Sequence, residues 1–365
     1  MRFVSALLIL AVFAAAAVAA ERIEVYPDSD QSLDALNAGL PASEYGLHPY
    51  DDSSYGESWF FVAYDRSGNS VWALVSISNY HPFKKFAGSV DLSFYDSSGK
   101  TYSAHGEYDR EHSKAELNRL DVAIGSSRIY GRYPTYFFRL KEGDIEFDLK
   151  FEARLPSAMT GGSRLYFDNR KRFWADAVLA PYAAVSGTVT VGGARRSFDG
   201  YGYADHGYAT IKVPSFSRRW HIMRAFDGHN TINYMSIDTK DRYEPRSVGH
   251  ILFGRDGKIY CNSPNFTLTP VRYATEPRSG FKYAAEYRLH YRGPHVELDG
   301  TVKVDRIVEA VDVFRILSAP VRAVAKTFYS NAWQFRYMGS VDIEVKQGGQ
   351  TFRFRAPCVG EEHFY

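Results

Sequence analysis

Residues 145–152 read Ile-Glu-Phe-Asp-Leu-Lys-Phe-Glu, with a large apolar residue at every second position and a charged residue between. Successive side chains of a β-strand point to opposite faces of the sheet, so this period of two places one face in a core and the other in water. We expect Ile145, Phe147, Leu149 and Phe151 to be buried together. A sheet with one dry face and one wet face is typical of antiparallel β proteins.

Similar strand-like patterns continue in both directions along the chain. Further runs of aromatic and β-branched residues, separated by turn sequences, cover 58–65, 71–78, 188–191, 231–238, 281–291, 296–304, 341–345 and 351–355. Helix signals are confined to a short capped turn at 32–40 and about two turns at 321–328. Roughly sixteen to eighteen short strands with turns between them indicate barrels or sandwiches. The sequence therefore predicts an all-β fold of two antiparallel barrel or half-barrel domains with little helix.

The N-terminus has the pattern of a secretory signal peptide. Arg2 precedes an uncharged run from Val4 to Ala20, and the small residues Ala17-Val18-Ala19 suit cleavage. The alternative is an uncleaved anchor helix, but the run is at the short limit of what spans a bilayer. We expect a signal peptide at 1–20, a segment at 21–40, a first β domain at 41–185 and a second at 186–365. The signal-peptide pattern predicts export to the periplasm or outside the cell. No other stretch is long and apolar enough to span a membrane, so no membrane segment is expected after cleavage.

Composition limits the partners. The formal net charge is +2 and the basic residues are scattered, which argues against nucleic acid. Aromatic residues make up 16% of the chain, and large rings suit both pleated sheets and apolar ligand cavities. Cys261 and Cys358 could pair in an exported protein, although nothing in the sequence brings them together. The eleven histidines do not cluster at metal-ligand spacing, so neither a metal nor another cofactor is predicted.

One motif combines glycines, tyrosines and an acid–imidazole pair. Residues 198–208 read Phe-Asp-Gly-Tyr-Gly-Tyr-Ala-Asp-His-Gly-Tyr. Glycine inside a strand marks a bulge or the close approach of a ligand or another backbone. Asp205 and His206 are adjacent, so an extended strand points them to opposite faces. Patterns for a nucleophile elbow, a P-loop and a His-Glu-x-x-His zinc site are absent from the sequence.

Asp205 admits two interpretations. If it faces an apolar space lined by Tyr201, Tyr203 and Trp220, burial raises the pKa of its carboxyl and keeps a proton available near neutral pH. Alternatively, Asp205 accepts backbone hydrogen bonds where a strand bends and serves only the fold. The sequence leaves both open.

Several stretches resemble one known superfamily. One pattern consists of Trp174, the glycine–tyrosine run with its Asp-His pair, and Trp220. It resembles the pattern of the lipocalin-like superfamily that includes AttH-like proteins, carotenoid 1,2-hydratases (hydroxyneurosporene synthases) and fungal survival-factor proteins. Residues 57–61, Glu-Ser-Trp-Phe-Phe, resemble an N-terminal signature of that group, and residues 360–364 resemble its tail. Where the hydratase pattern has Asn-Trp-Gly after the Asp-His pair, this chain has Gly-Tyr-Ala at 207–209.

The resemblance implies two lipocalin-like domains with an apolar ligand between or within them. The first functional hypothesis is an exported carrier of an apolar small molecule, such as an isoprenoid or another lipid. The second is an enzyme that hydrates, cyclises or isomerises such a molecule by acid catalysis, with Asp205 as proton donor. The third is a structural envelope protein without a ligand. The candidate site residues are Asp205 and His206 for catalysis and Tyr201, Tyr203, Tyr208, Trp220, Trp59 and Trp174 for ligand binding.

Overall fold

The structure, a computed structural model, describes residues 23–24, 32–79, 85–162, 164–243, 246–313 and 332–365. The predicted signal peptide at 1–20 and the predicted helix at 321–328 lie outside these residues. Within them, the helical segments are turns of three or four residues: Leu33–Leu36, Ala42–Tyr45, Arg110–His112, Thr160–Gly162 and Val213–Phe216. The first of these begins at the predicted place, where the Ser32 side chain accepts a hydrogen bond from the Ala35 backbone N–H. None of the described helical segments could cross a membrane.

Two antiparallel sheets make up nearly all of the rest. The first sheet contains β1 Gly56–Asp65, β2 Ser70–Ser78, β3 Ala87–Tyr95, β4 Thr101–Tyr108, β5 Ser113–Ala115, β6 Leu120–Ile124, β7 Ser127–Arg132, β8 Thr135–Glu142, β9 Ile145–Ala153, β10 Ala158–Met159, β11 Leu165–Phe167, β12 Arg172–Val191 and β13 Ala194–Ala209. The second contains β14 Ser217–Phe226, β15 Asn230–Thr239, β16 Ser247–Arg255, β17 Lys258–Ser263, β18 Phe266–Thr275, β19 Lys282–Arg292, β20 Glu297–Asp312, β21 Trp333–Gln347 and β22 Gln350–Phe364.

The first sheet curls into a nearly closed barrel. Its hydrogen-bonded order is β4-β3-β2-β1-β13-β12-β9-β8-β7-β6-β5, and β3 approaches β6 and β8 across the barrel to within 8 Å between Cα atoms. The second sheet, β17-β16-β15-β14-β22-β21-β20-β19-β18, forms a half-barrel. The predicted all-β class with two barrel-type units is therefore confirmed. The shortest strands, β5, β10 and β11, were not predicted because two or three residues are too few to show an alternation.

The change from one sheet to the other comes later than the predicted boundary. Residues 185 and 186 lie inside β12, which forms a long hairpin with β13 through Gly192 and Gly193. The left-handed backbone at those two glycines explains their place in this turn. Both strands belong to the first sheet, and the second sheet begins at Ser217.

The three largest of the apolar clusters in the described residues hold this arrangement. One fills the first barrel and contains the predicted face of β9, with Ile145, Phe147, Leu149 and Phe151 all buried. A second fills the half-barrel and includes Cys261 and Cys358, which are free buried thiols. A third joins the two sheets, and its members include Phe60, Val62, Tyr64, Tyr203, Phe226, Leu252 and Val359.

Candidate functional site

β13 carries the Asp-His motif and lies in the middle of the first sheet between β1 and β12. Asp205 stands opposite Phe60 of β1, and His206 stands opposite Trp59. Because neighbours on a strand point to opposite faces, Asp205 and Phe60 face the second sheet, whereas His206 and Trp59 face the interior of the first barrel. The predicted divergence of Asp205 and His206 is thus observed.

A cavity of about 450 Å³ lies between the two sheets and holds part of the predicted set. Asp205, Tyr203, Trp174 and Trp220 line it, and the two indole rings meet edge to face with centroids 5.6 Å apart. These four residues therefore come together as predicted, but in a space between two sheets rather than inside one barrel.

The other predicted residues lie elsewhere. Tyr208 borders the cavity, but its ring stacks on His48 at 3.8 Å between centroids, on the face of β13 that carries His206. Tyr201 lines a separate pocket beside Tyr182. Trp59 stacks on His206 at 4.6 Å. The ligand wall expected from the sequence is therefore divided among three places.

Gly200 and Gly202 of the motif make room for protein atoms, whereas Gly207 borders the cavity. A Cβ on Gly200 would lie 2.1 Å from the backbone oxygen of Tyr64, and a Cβ on Gly202 would lie 2.7 Å from the Phe151 ring. Both distances are far inside van der Waals contact. At these two positions the glycine is explained by the close approach of neighbouring strands of the same sheet, and not by the close approach of a ligand.

Asp205 is accompanied by a second buried carboxyl, Asp176 of β12. Asp176 pairs in register with Gly207, so it lies diagonally beside Asp205 on the same sheet face. Burial and the neighbouring Asp205 carboxylate raise the pKa of Asp176 well above its usual value. Burial also raises the pKa of Asp205, to about 6, although the Arg224 guanidinium works in the opposite direction. Both pKa values shift upward, and the Arg224 guanidinium, 3.5 Å from Asp205, favours Asp205 as the ionised member of the pair.

Arg224 of β14 faces this pair from the second sheet. Its Nη2 lies 3.5 Å from Asp205 Oδ2, and its Nη1 lies 3.6 Å from Glu361 Oε1. The guanidinium carbon lies 4.6 Å from the centroid of the Phe60 ring and 4.5 Å from that of Tyr203. Both distances are within the range of cation–π contacts.

Glu361 completes the charged wall. Gln334 Nε2 donates to its Oε2 at 2.9 Å, and His363 Nε2 lies 2.9 Å from the same oxygen. Burial alone would raise the pKa of Glu361, but the contacts with His363 and the arginines outweigh it and lower the pKa to about 2. This carboxylate therefore stays ionised while the aspartate pair can hold a proton.

His206 belongs to a separate polar cluster inside the first barrel. Its Nε2 lies 2.6 Å from Glu57 Oε1, and its Nδ1 lies 2.9 Å from the backbone oxygen of Glu44. Both partners are oxygen atoms that can accept a hydrogen bond from the imidazole ring. Glu57 also accepts from Tyr55 Oη and from the backbone N–H of His48. His206 and Asp205 therefore belong to separate groups of side chains on opposite faces of β13.

His48, Glu57 and His206 bring their ligand atoms within 4.8 Å of one another, the one such group in the described part of the chain. The residue types suit a transition metal. Hydrogen bonds already account for both oxygens of Glu57 and both nitrogens of His206. The contacts described here thus fit a hydrogen-bonded cluster, and the sequence prediction of no metal remains untested.

Sequence reasoning missed Asp176 and Arg224. Each is a lone charged residue within a short apolar stretch, at 173–178 and 223–226 respectively. Charges in such surroundings are seldom buried unless paired or functional, so this contrast was the available signal. Glu361 lies in the C-terminal stretch noted for its family resemblance, but its role at the cavity depends on sheet-to-sheet packing.

Comparison with known proteins shows similarity at the level of fold. No family model and no curated protein matches the sequence. An AttH crystal structure from Nitrosomonas europaea has 13% identity, a TM-score of 0.59, and coverage of 88% of this chain and 94% of that chain. CghA with Sch210972 has 12% identity and a TM-score of 0.59 over 94% and 98%. Kievitone hydratase from Nectria haematococca has 11% identity and a TM-score of 0.53 over 93% and 97%. These likenesses show that the chain shares its fold with these proteins, as the resemblance noted in the sequence predicted.

Proposed function

We propose that the cavity between the sheets binds a largely apolar small molecule and that the Asp176–Asp205 pair transfers a proton to it. The observation that carries this proposal is the pair of carboxyls on one cavity wall, with Asp176 buried, Asp205 12% exposed and Arg224 beside them. When the environment gives two neighbouring carboxyls different pKa values, one can donate a proton and the other can accept one in the same reaction. The predicted role of proton donor at Asp205 passes to Asp176 in this scheme, because Arg224 favours an ionised Asp205.

The reaction class that fits is hydration of a carbon–carbon double bond, or its reverse. Asp176 donates its proton to one alkene carbon, which leaves a cation on the other. The oxygen of a water molecule forms the new bond to that cation, and Asp205 takes the proton that this water loses. The rings of Tyr203, Trp174 and Trp220 can stabilise the cation through their faces. The name of one fold relative, kievitone hydratase, supports this class but does not identify the substrate.

Aspartate-to-asparagine variants test the catalytic half of the proposal. Asp176→Asn and Asp205→Asn keep the side-chain shape and remove the acid or base, so we expect turnover to fall by about 100-fold or more. The assay incubates the protein with polyenes and prenylated phenols in ¹⁸O-labelled water and searches for products that have gained one water, by mass spectrometry. Asp199→Asn is the matched control, because Asp199 lies on the same strand with a side chain 75% exposed.

A carrier is the second candidate, and the apolar part of the cavity wall favours it. Trp174, Trp220, Ile222 and Met235 would bind an apolar molecule without any proton transfer. A carrier predicts tight binding, no labelled product, and equal affinities in the native protein and the asparagine variants. That combination of results would overturn the catalytic proposal while leaving the binding site in place.

We further propose export, which the signal-peptide pattern at 2–20 supports. Expression of the full chain in a secreting host should yield a mature protein that begins near Glu21. N-terminal sequencing checks this, and retention of Met1 in a membrane fraction would favour the anchor instead.

A further inference from the structure

Several nitrogen donors of the cavity wall have no hydrogen-bond acceptor among the residues that the structure describes. They are Nε and Nη1 of Arg224 and Nε1 of Trp220, and all three atoms are buried. Both side chains line the cavity between the sheets. Buried donors are nearly always satisfied in folded proteins, so unpartnered ones that border a cavity indicate an acceptor supplied by a ligand.

The ion pairs of Arg224 do not supply hydrogen-bond acceptors for its Nε and Nη1. Its distances of 3.5 Å to Asp205 and 3.6 Å to Glu361 are favourable for charge but too long for strong hydrogen bonds. The flanking rings of Phe60 and Tyr203 limit the movement of the guanidinium. Arg224 is therefore positioned as a donor whose positive charge is already balanced.

This balance indicates a neutral ligand group. Asp205 and Glu361 are the carboxylates nearest to Arg224, and Glu309 pairs with the neighbouring Arg336 at 3.2 Å. An anionic ligand would therefore meet guanidinium groups that already face carboxylates, and would enter beside Asp205 and Glu361 of the cavity wall. A neutral carbonyl oxygen accepts hydrogen bonds without adding to this repulsion.

Resting on the proposed function, we propose that the ligand is a neutral amphiphile whose carbonyl oxygen accepts a hydrogen bond from Arg224, while its apolar body lies against Trp174 and Trp220. Trp220 and Arg224 are four residues apart on one face of β14, about 13 Å at the usual strand rise. The free N–H of Trp220 offers a second donor at the far end of an elongated molecule. A plain hydrocarbon would leave both donors unsatisfied.

A matched pair of probes tests this substrate class. 2-Acetylnaphthalene and 2-ethylnaphthalene differ by a carbonyl in place of a methylene, and quenching of tryptophan fluorescence gives their dissociation constants. We expect the native protein to bind the ketone more tightly than 2-ethylnaphthalene. Arg224→Lys keeps the charge but removes Nε and the planar guanidinium, so it should reduce the ratio of the two dissociation constants about tenfold. Trp174→Phe is the control, since it reduces wall area and should weaken both probes alike.

A measurement on the native protein keeps the proposal testable if Arg224→Lys does not fold. The infrared carbonyl stretch of bound 2-acetylnaphthalene should lie at lower frequency than in hexane, as a donated hydrogen bond requires. An unshifted stretch, or a probe preference unchanged in Arg224→Lys, would overturn the role of Arg224. If the preference for the ketone is lost only in Trp220→Phe, the carbonyl oxygen accepts its hydrogen bond from Trp220, and the role of Arg224 is overturned as well. If neither probe binds the native protein, the proposed binding function fails as well, which is a distinguishable outcome.

Discussion

Glu57 shows how one side chain can connect distant parts of the first barrel. Its carboxylate accepts hydrogen bonds from the backbone of His48, from Tyr55 and from His206, and it is fully buried. Burial alone would raise the pKa of Glu57, but the hydrogen bonds from His206 and His48 outweigh it and lower the pKa to about 2. The folded state therefore favours the ionised form.

This lowered pKa predicts a specific loss of stability in acid. A carboxyl with a depressed folded-state pKa stabilises the protein above its unfolded pKa of about 4.5, and that contribution disappears as the pH falls from 4.5 towards 2. A difference of about 2.5 pKa units corresponds to about 3 kcal/mol. Urea unfolding between pH 2.5 and pH 6 should show this component in the native protein and lack it in Glu57→Gln. Parallel curves for the two proteins would contradict the assignment.

At this scale, the sequence predicted individual residues better than their neighbours in space. The alternation of β13 correctly separated Asp205 from His206, and Tyr203, Trp174 and Trp220 do share a cavity with Asp205. The alternation could not reveal that Arg224 lies 3.5 Å from Asp205, because this contact depends on how one sheet packs against another.

Among the elements, β9 most clearly follows its sequence. Its apolar residues are buried and Glu146 and Asp148 are exposed, as the alternation predicted. The alternation does not mark where one sheet ends and the next begins, and β12 continues through residues 185 and 186, where the boundary between the two domains was expected. Strand periodicity gives the two faces of a strand but not the sheet edge at which the chain leaves it.

Truncation of the β9 face should destabilise the first barrel. Phe147 is fully buried, and its ring meets that of Phe61 with centroids 6.3 Å apart. Phe147→Ala should cost about 3–5 kcal/mol, because it leaves a cavity in a packed core. Glu146→Ala, on the exposed face of the same strand, should change the free energy of unfolding by less than about 0.5 kcal/mol. Chemical denaturation measures both, and similar values for the two variants would argue against a packed core at this position.

Over the whole molecule, the two sheets are joined by a third apolar cluster and by specific hydrogen bonds. Tyr64 of β1 donates through Oη to the backbone oxygen of Phe226 at 2.8 Å and accepts from the backbone N–H of Phe226 at 3.2 Å. These bonds connect the first sheet directly to β14. A sequence cannot specify such a contact in advance, because it depends on how the two units meet.

The bridge at Tyr64 should contribute to the stability of the whole protein. Tyr64→Phe leaves buried backbone groups of Phe226 without this partner, which should cost about 1–3 kcal/mol. Tyr273→Phe is a suitable control, because Tyr273 is 51% exposed. Thermal melts followed by circular dichroism and by tryptophan fluorescence should give one coincident transition that shifts only in Tyr64→Phe. An unshifted melt would show that this hydrogen-bonded bridge is dispensable.

The position of the cavity between two units has an evolutionary consequence. Each unit retains its own hydrophobic core, and Asp176, Arg224 and Glu361 belong to neither. Mutations that change the cavity wall can therefore accumulate without disrupting the hydrophobic core of either unit. Small changes in the docking of the units can also reshape the cavity without any change in its lining residues. Such an architecture separates the residues of the cavity wall from those of the scaffold, and the fold persists in chains that share only 11–13% identity with this one.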